Sequence, residues 1–424
     1  MIYQTGRPFA ETLDAQDQLK AFREQFVFPV SSDGTPKIYF CGNSLGLQPK
    51  QAQEAVNLVM QDWATRGVDG HFEGKRPWKQ YHRHLADQLA HLVGALPSEV
   101  TVMNTLTADI HFLFFTFYQP VGRRYKILME YDAFPSDRYA VESLVEHHGY
   151  DPEDAIIYLT PSPGQFLLDM QDIKAAIDIH AEDLAMIWLG NVNYYTGQYY
   201  HIGPITEWSH QAGAVVGFDL AHAAGNIPLQ LHYDHVDFAA WCTYKYLNGG
   251  PGSLAGIYIR DNHSVYKEPF RLKGWWGQDI NTRFNMRAPF HPERGAEGWQ
   301  MSNQPILSMA PLYASLELFI QAGMASLRSK SLILTGYLEY LLHKLDDPHI
   351  TIITPVDPED RGCQLSIHFG TIARQVFEKL IAANVVVDYR HPDVIRIAPV
   401  PLYNSYTDVW NFVDILARIL QELK

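Results

Sequence analysis

An α/β fold, with a large, mostly parallel sheet covered by helices and a smaller α+β unit behind it, is predicted by three features of the sequence. From about residue 50 to 300, apolar runs of strand length alternate with amphipathic helical stretches. After Pro305 the alternation gives way to two long helical runs and then to short alternating segments. Two of the strand-like runs, AVVGFDL and VDFAAWC, lead directly into residues able to do chemistry. A parallel sheet presents its ligands at the carboxyl ends of its strands, so that coincidence is informative.

Taken in order, residues 1–60 read as a helix and an extended arm that rejoin the C-terminal unit. Residues 61–305 form the large unit, with strands expected at TVMN, YKILME, DAIIYLT, LAMIWLG, AVVGFDL, VDFAAWC and LAGIYI. Helices such as SDRYAVESLVEHHG and PITEWSHQAG fall between them. Residues 306–424 form the small unit: ILSMAPLYASLELFIQAG and SLRSKSLILTGYLEYLLHKL are helical, QLSIHF and VVVDY are extended, and a last helix ends at Lys424. Neither a repeat nor a long linker interrupts the chain, so the two units are expected to pack together.

A chain of 424 residues with 47% hydrophobic and 13% aromatic content can bury one large and one smaller core. Its formal net charge of -14, without a lysine/arginine run, argues against a nucleic-acid partner. Cys41, Cys242 and Cys363 are widely spaced, which indicates neither a disulfide framework nor a cysteine metal site and fits a reducing compartment. MIYQTGRPFA lacks the apolar core of a signal peptide, and no run of eighteen apolar residues occurs. A cytoplasmic protein without a membrane partner is expected.

The segment CTYKYLNGGPG places Lys245 between Tyr244 and Tyr246, just before a glycine-rich turn. A lysine in apolar, aromatic surroundings can hold a depressed amine pKa and form a Schiff base with a carbonyl cofactor. About two dozen residues upstream, GFDLAHAAGN carries Asp219 and His222. Alone, these two read equally as a helix cap and a core histidine. Together with Lys245 they match the needs of pyridoxal phosphate (PLP), whose pyridinium nitrogen takes a carboxylate and whose aldehyde takes an amine. The phosphate needs a loop opening into a helix, and TVMNTLTADIHF supplies one at Thr105, Leu106 and Thr107, where an ordinary threonine cap is the alternative. In AFPSDRY, Phe134 is placed to stack on a ring and Asp137 to contact the cofactor, although Ser136 and Asp137 also resemble a turn and cap.

Nine segments in order, IYFCGNSLGLQP, GHFEGKRPW, AFPSDRY, NYYTGQ, GFDLAHAAGN, YKYLNGGPG, GWWGQD, MSNQPIL and RIAPVPLYNS, make the chain resemble the kynureninases over nearly its whole length. These are PLP enzymes of the aspartate-aminotransferase fold (fold type I), with a sheet of the seven-stranded type. The resemblance implies hydrolysis of L-kynurenine, and of 3-hydroxykynurenine, to the anthranilate and L-alanine, within tryptophan breakdown or NAD synthesis. It implies Lys245 as the Schiff-base lysine, Asp219 as the pyridinium partner, His222 as a cofactor neighbour and Phe134 as the stacking ring. Leu106, Thr107 and Asp137 map to cofactor contacts, with Tyr244, Trp275 and Asn303 around the phosphate.

On the substrate side the resemblance implies Arg396 for the α-carboxylate, and His71, Ser302 and Asn303 around the aromatic amine. Without it, Arg396 reads as a paired strand arginine and His71 as a loop residue. Family members form homodimers with shared active sites, which points to GWWGQD and MSNQPIL as the part lent across. Tyr244 is our choice for the acid/base of the later steps, with phosphate ligation as the alternative. The alternatives are another PLP enzyme of this fold, either an aminotransferase or a cysteine desulfurase, the latter needing a mobile nucleophile for which Cys363 is the only candidate, or a noncatalytic PLP-binding protein. Kynureninases carry serine or threonine where this chain has Gly190, so that hydroxyl contact is missing or replaced.

Overall fold

Runs of β-branched and aromatic residues, punctuated by glycine and proline, set the strands of the large unit. The computed structural model describes residues 2–261, 270–287 and 289–424. Its seven-stranded sheet has the order Val100–Met103, Ala255–Ile259, Phe238–Cys242, Val215–Asp219, Leu184–Gly190, Lys126–Glu130 and Ile156–Leu159. The last five of these pair in parallel, and Ala255–Ile259 runs antiparallel to both its neighbours. All seven expected strand segments are therefore strands of one mixed, mostly parallel sheet.

Side chains alternate between its faces, so each strand feeds two cores. Leu128, Ile187, Leu189, Val216 and Ala239 join the core on one face, with Ile173 and Ile205 from the covering helices Met170–Ile179 and Ile202–Gln211. Ile127, Met129, Trp188, Phe238 and Ala240 join the core on the other, with Leu113 and Phe114 of helix Leu106–Phe117 and Val141 of helix Pro135–His147. Burial on both faces explains why these strands read as continuous apolar runs rather than alternating ones.

The second sheet is antiparallel, in the order Thr351–Ile352, Leu365–His368, Val394–Ile397 and Asp388–Arg390. Helices Met324–Leu345, Ala373–Ala382 and Tyr406–Glu422 enclose its core with Ala10 and Leu13 of the N-terminal helix Arg7–Gln16. Strand Ile38–Tyr39 pairs in parallel with Val385–Val386. The segment VVVDY serves two sheets: Val385–Val386 holds the arm and Asp388–Arg390 joins the second sheet. Helix Ile306–Ala322 places Met309, Leu312, Leu316 and Phe319 in the core of the large sheet. The next helix carries the chain over, with Leu327 in that core and Leu334, Leu338 and Leu341 in the second.

Strand register fixes where the chemistry gathers. Gly190 lies opposite Asp219, Asp219 opposite Ala240, and Glu130 ends its strand opposite Leu159. Glu130, Gly190 and Asp219 thus end adjacent strands at one edge of the sheet, and the chain leaving Cys242 turns there through Tyr244 and Lys245. The loop CGNSLG clamps that turn: the Gly46 N–H donates to the Tyr244 carbonyl at 2.9 Å. A Cβ on Gly46 would lie 2.3 Å from the Lys245 carbonyl oxygen, a close approach that only glycine permits.

Candidate active site

At the carboxyl ends of the parallel strands opens a pocket. Among the residues lining it are Leu106, Thr107, Phe134, Asp137, Asp219, His222, Tyr244 and Lys245. Eight sequence-predicted residues, drawn from four separate strand ends, therefore meet in one cavity.

Lys245 Nζ lies 3.0 Å from His222 Nε2 and 5.7 Å from the centre of the Phe134 ring. Burial, and then the charge of Lys245, holds His222 well below the ordinary histidine range, so its ring is neutral and its Nε2 accepts from the lysine. The His222 segment is held by Asn226, whose Nδ2 donates to the His222 carbonyl at 2.8 Å and whose Oδ1 accepts the Cys363 N–H at 2.9 Å.

Behind the lysine, Asp219 and Asp137 are buried and share a proton. Burial raises both, and for Asp137 the neighbouring Asp219 charge raises it further, well above the carboxylate range. Lys245 and the Ala221 N–H, 2.8 Å from Asp219 Oδ1, oppose the rise at Asp219. The proton therefore resides on Asp137, which donates to Asp219, and the negative charge stays on Asp219 facing the lysine. Trp188 Nε1 donates to Asp137 Oδ1 at 2.7 Å and fixes the pair.

At another wall, helix Leu106–Phe117 begins with Thr105, whose side chain makes no capping bond. The free N–H groups of its first turn, with Leu106 and Thr107, face the cavity and attract an anion through the helix dipole. Asp109 in that turn is raised well above its ordinary value by burial, so it adds no negative charge there. Tyr244 lines the same cavity, and burial, then Cys242, pushes its phenol upward: it holds its proton.

Four predicted residues lie elsewhere. His71, Trp275, Ser302 and Asn303 do not line the pocket. They collect around a separate, partly exposed aromatic patch. The His71 ring meets Trp78 at 5.2 Å, and its neighbour Phe72 meets Phe284, which meets Trp275. Trp275 Nε1 donates to the Arg283 carbonyl at 2.8 Å, and the segment packs on Met301, next to exposed Ser302 and Asn303. Arg396 is fully buried beside the pocket, donating to the carbonyl of pocket residue Tyr194 at 2.7 Å and pairing with Asp388.

Sequence reasoning gave no role to Glu130, Tyr194 or Asp388. Glu130 is the most consequential. It lines the pocket, its Oε2 accepts the Gly190 N–H at 3.0 Å, and a Cβ on Gly190 would lie 3.5 Å from its Oε1. The carboxyl thus borders the space that a side chain at 190 would enter. Cys363, by contrast, is fully buried with its thiol pushed up to about 12 by burial, and cannot serve as a mobile thiolate nucleophile.

Burial lifts the Glu130 carboxyl from 4.5 to about 7. A group raised in the folded state keeps its stability contribution below its unfolded pKa and loses it as pH rises through the folded value. Between about pH 5 and pH 8 the wild type should therefore lose up to about 3 kcal/mol that a Glu130→Gln variant does not. Thermal unfolding of both proteins across this range checks it: the variant's Tm should gain on the wild type as pH rises. A constant difference would contradict the raised carboxyl.

A family model for the kynureninase C-terminal domain matches residues 327–416. The kynureninase of Myxococcus xanthus is 49% identical over 415 residues, covering 98% of this chain and 97% of its own. That of Flavobacterium psychrophilum is 48% identical over 425 residues and the full length of both. Among solved structures, the cysteine desulfurase CsdA of Escherichia coli superposes with a TM-score of 0.76 at 18% identity, covering 96% of this chain and 99% of its own, a likeness of fold. Identity near one half over the full length places the chain in the kynureninase family.

Proposed function

We propose that the chain hydrolyses L-kynurenine, and 3-hydroxykynurenine, to the corresponding anthranilate and L-alanine with PLP as cofactor. The observation that carries this is the convergence of Lys245, His222 and the Asp219–Asp137 pair in one cavity of a chain half-identical to kynureninases.

The residues fit the cofactor. Asp219, charged and buried, suits a pyridinium nitrogen; Phe134 offers a ring to stack on; the first turn of helix Leu106–Phe117 and Tyr244 suit the phosphate; Lys245 suits the aldehyde. Bound PLP supplies an electron sink that makes cleavage of the Cβ–Cγ bond beside the ketone accessible. The chain's own groups do the rest. Lys245 Nζ takes the proton from the substrate Cα, with neutral His222 holding the amine in place at 3.0 Å. Asp137, by keeping its proton, confines one negative charge to Asp219. Arg396 holds the α-carboxylate. Tyr244 starts the later steps as a proton donor, since its phenol is protonated, and passes that proton toward the carbon that becomes the alanine methyl group. Water supplies the hydroxyl of the anthranilate carboxyl group and the proton that restores Tyr244, and Lys245 gives its proton back to Cα before alanine leaves, which balances the reaction.

The working unit is a homodimer in the cytoplasm. His71, Trp275, Ser302 and Asn303, gathered on a partly exposed aromatic patch away from the pocket of their own chain, suit contribution to the pocket of a second copy. No single helix among the described residues is long and apolar enough to cross a membrane, and the three cysteines are unpaired.

The PLP-loaded enzyme should release anthranilate and L-alanine in equal amounts from L-kynurenine. In Tyr244→Phe, kcat should fall by about 10²- to 10⁴-fold with cofactor affinity retained. Recovery of normal turnover when PLP is in excess would reduce Tyr244 to a phosphate ligand.

Sharing of the site is tested by mixing two inactive variants, Lys245→Ala and Asn303→Ala, in one dimer population. Random pairing leaves one intact site in half of the dimers, so about a quarter of wild-type activity should return. No recovery after subunit exchange would mean that both residues act within a single chain.

A further inference from the structure

The register of the second sheet puts three charged residues on one face. Asp388 lies directly opposite Arg396, and Arg390 opposite Val394. Alternation then turns Asp388, Arg390 and Arg396 to the same side, while Tyr389 and Ile395 turn to the second core. The charged side faces the large unit, as the bond from Arg396 Nη1 to the Tyr194 carbonyl shows.

Two cations share one anion here. Arg390 Nη2 donates to Asp388 Oδ2 at 3.0 Å, and Arg396 Nη2 contacts the same oxygen, which also accepts from Ser44. Burial acts most strongly on Asp388 and raises it, but Arg396, Ser44 and Arg390 together outweigh burial and hold the carboxyl below its ordinary value. Two guanidinium groups against one carboxylate leave one positive charge, and Arg396 is only 1% exposed. Moreover, the Nε of Arg390 and the Nε of Arg396 are both buried without a hydrogen-bond partner among the described residues. A buried guanidinium N–H left unpaired is costly, and two on adjacent cations suit an anion with two oxygens. Both arginines also help to hold down the pKa of His222, which stands 3.0 Å from Lys245 Nζ. An α-amino acid bringing its amine to Lys245 carries its carboxylate two bonds from that amine, and both guanidinium groups act on the histidine that stands beside this lysine.

We propose that Arg390 is a second carboxylate-binding residue, forming with Arg396 a two-arginine clasp whose spacing is set by the shared Asp388. This rests on the reading of Arg396 given above. Asp388 serves as a positioning residue that keeps both guanidinium groups in one place, and the substrate's carboxylate neutralises the remaining charge. The clasp selects for α-carboxylates in general, and leaves the aromatic end of the substrate to other groups.

The test uses the full-length, PLP-loaded enzyme with Arg390→Gln, Arg390→Lys and Arg396→Gln. KM and kcat are measured for L-kynurenine. Dissociation constants are measured, from the change in bound-cofactor absorbance, for L-alanine and for the amine that corresponds to kynurenine without its carboxylate. Arg390→Gln should raise KM and the L-alanine constant about 10- to 100-fold while leaving kcat and the amine nearly unchanged, and Arg390→Lys should recover part of the loss. Equal weakening of L-alanine and the amine, or a fall in kcat alone, would make Arg390 a structural counter-ion and overturn the proposal. If Arg396→Gln loses L-alanine binding and Arg390→Gln does not, the clasp has one arm and only the proposal fails. If neither loses it, the reading of Arg396 fails as well. Should Arg390→Gln not fold, the KM of Arg390→Lys decides: a lysine cannot form the guanidinium fork, so a KM equal to wild type would also overturn the proposal.

Discussion

Everything in the site follows from burying three carboxyl groups beside one half-buried lysine where adjacent strands end and a helix begins. Ionising all of Asp137, Asp219 and Glu130 in one buried cavity would cost far more than a single ammonium returns. The sheet resolves this by letting protons stay: Asp137 keeps one and donates it to Asp219, and Glu130 is lifted to about 7. One charge, on Asp219, is left to face Lys245. A cationic pyridine ring entering this cavity meets a counter-charge already in position, so little reorganisation remains to be done when it binds.

Much of this was legible in the sequence because the relevant groups sit at strand ends and strands announce themselves. Runs such as AVVGFDL and VDFAAWC are apolar through their length, since both faces are covered, and the residues that follow them fall at the ligand-binding edge. Lys245, Asp219, His222, Phe134 and Asp137 could be chosen on that ground. Glu130 could not. It closes YKILME as one acid among many, and only the pairing of that strand with Leu184–Gly190, sixty residues on, brings it to Gly190. Asp388 and Arg390 were hidden for a related reason: VVVDY reads as one strand, and the register that sets Asp388 against Arg396 depends on the chain changing sheets at Val387.

The two units are tied together at the places the chemistry requires. The loop CGNSLG reaches the Tyr244–Lys245 backbone through Gly46 and the arginine pair through Ser44. Arg396 crosses in the other direction to the Tyr194 carbonyl. On the proposed reading, a substrate that reaches both Lys245 and Arg396 lies across the division between the two hydrophobic cores. His71, Trp275, Ser302 and Asn303 stand apart from this arrangement within one chain, and sequence order alone could not have separated them from the eight residues that line the pocket.

The central claim is that Lys245, and no other lysine, is the amine this cavity presents to the cofactor's aldehyde. Borohydride reduction of the PLP-loaded enzyme, followed by proteolysis and mass analysis of the peptides, reads this directly. The account predicts a single modified site, on the peptide containing Tyr244-Lys245-Tyr246. Modification of a different lysine with Lys245 left free would contradict it.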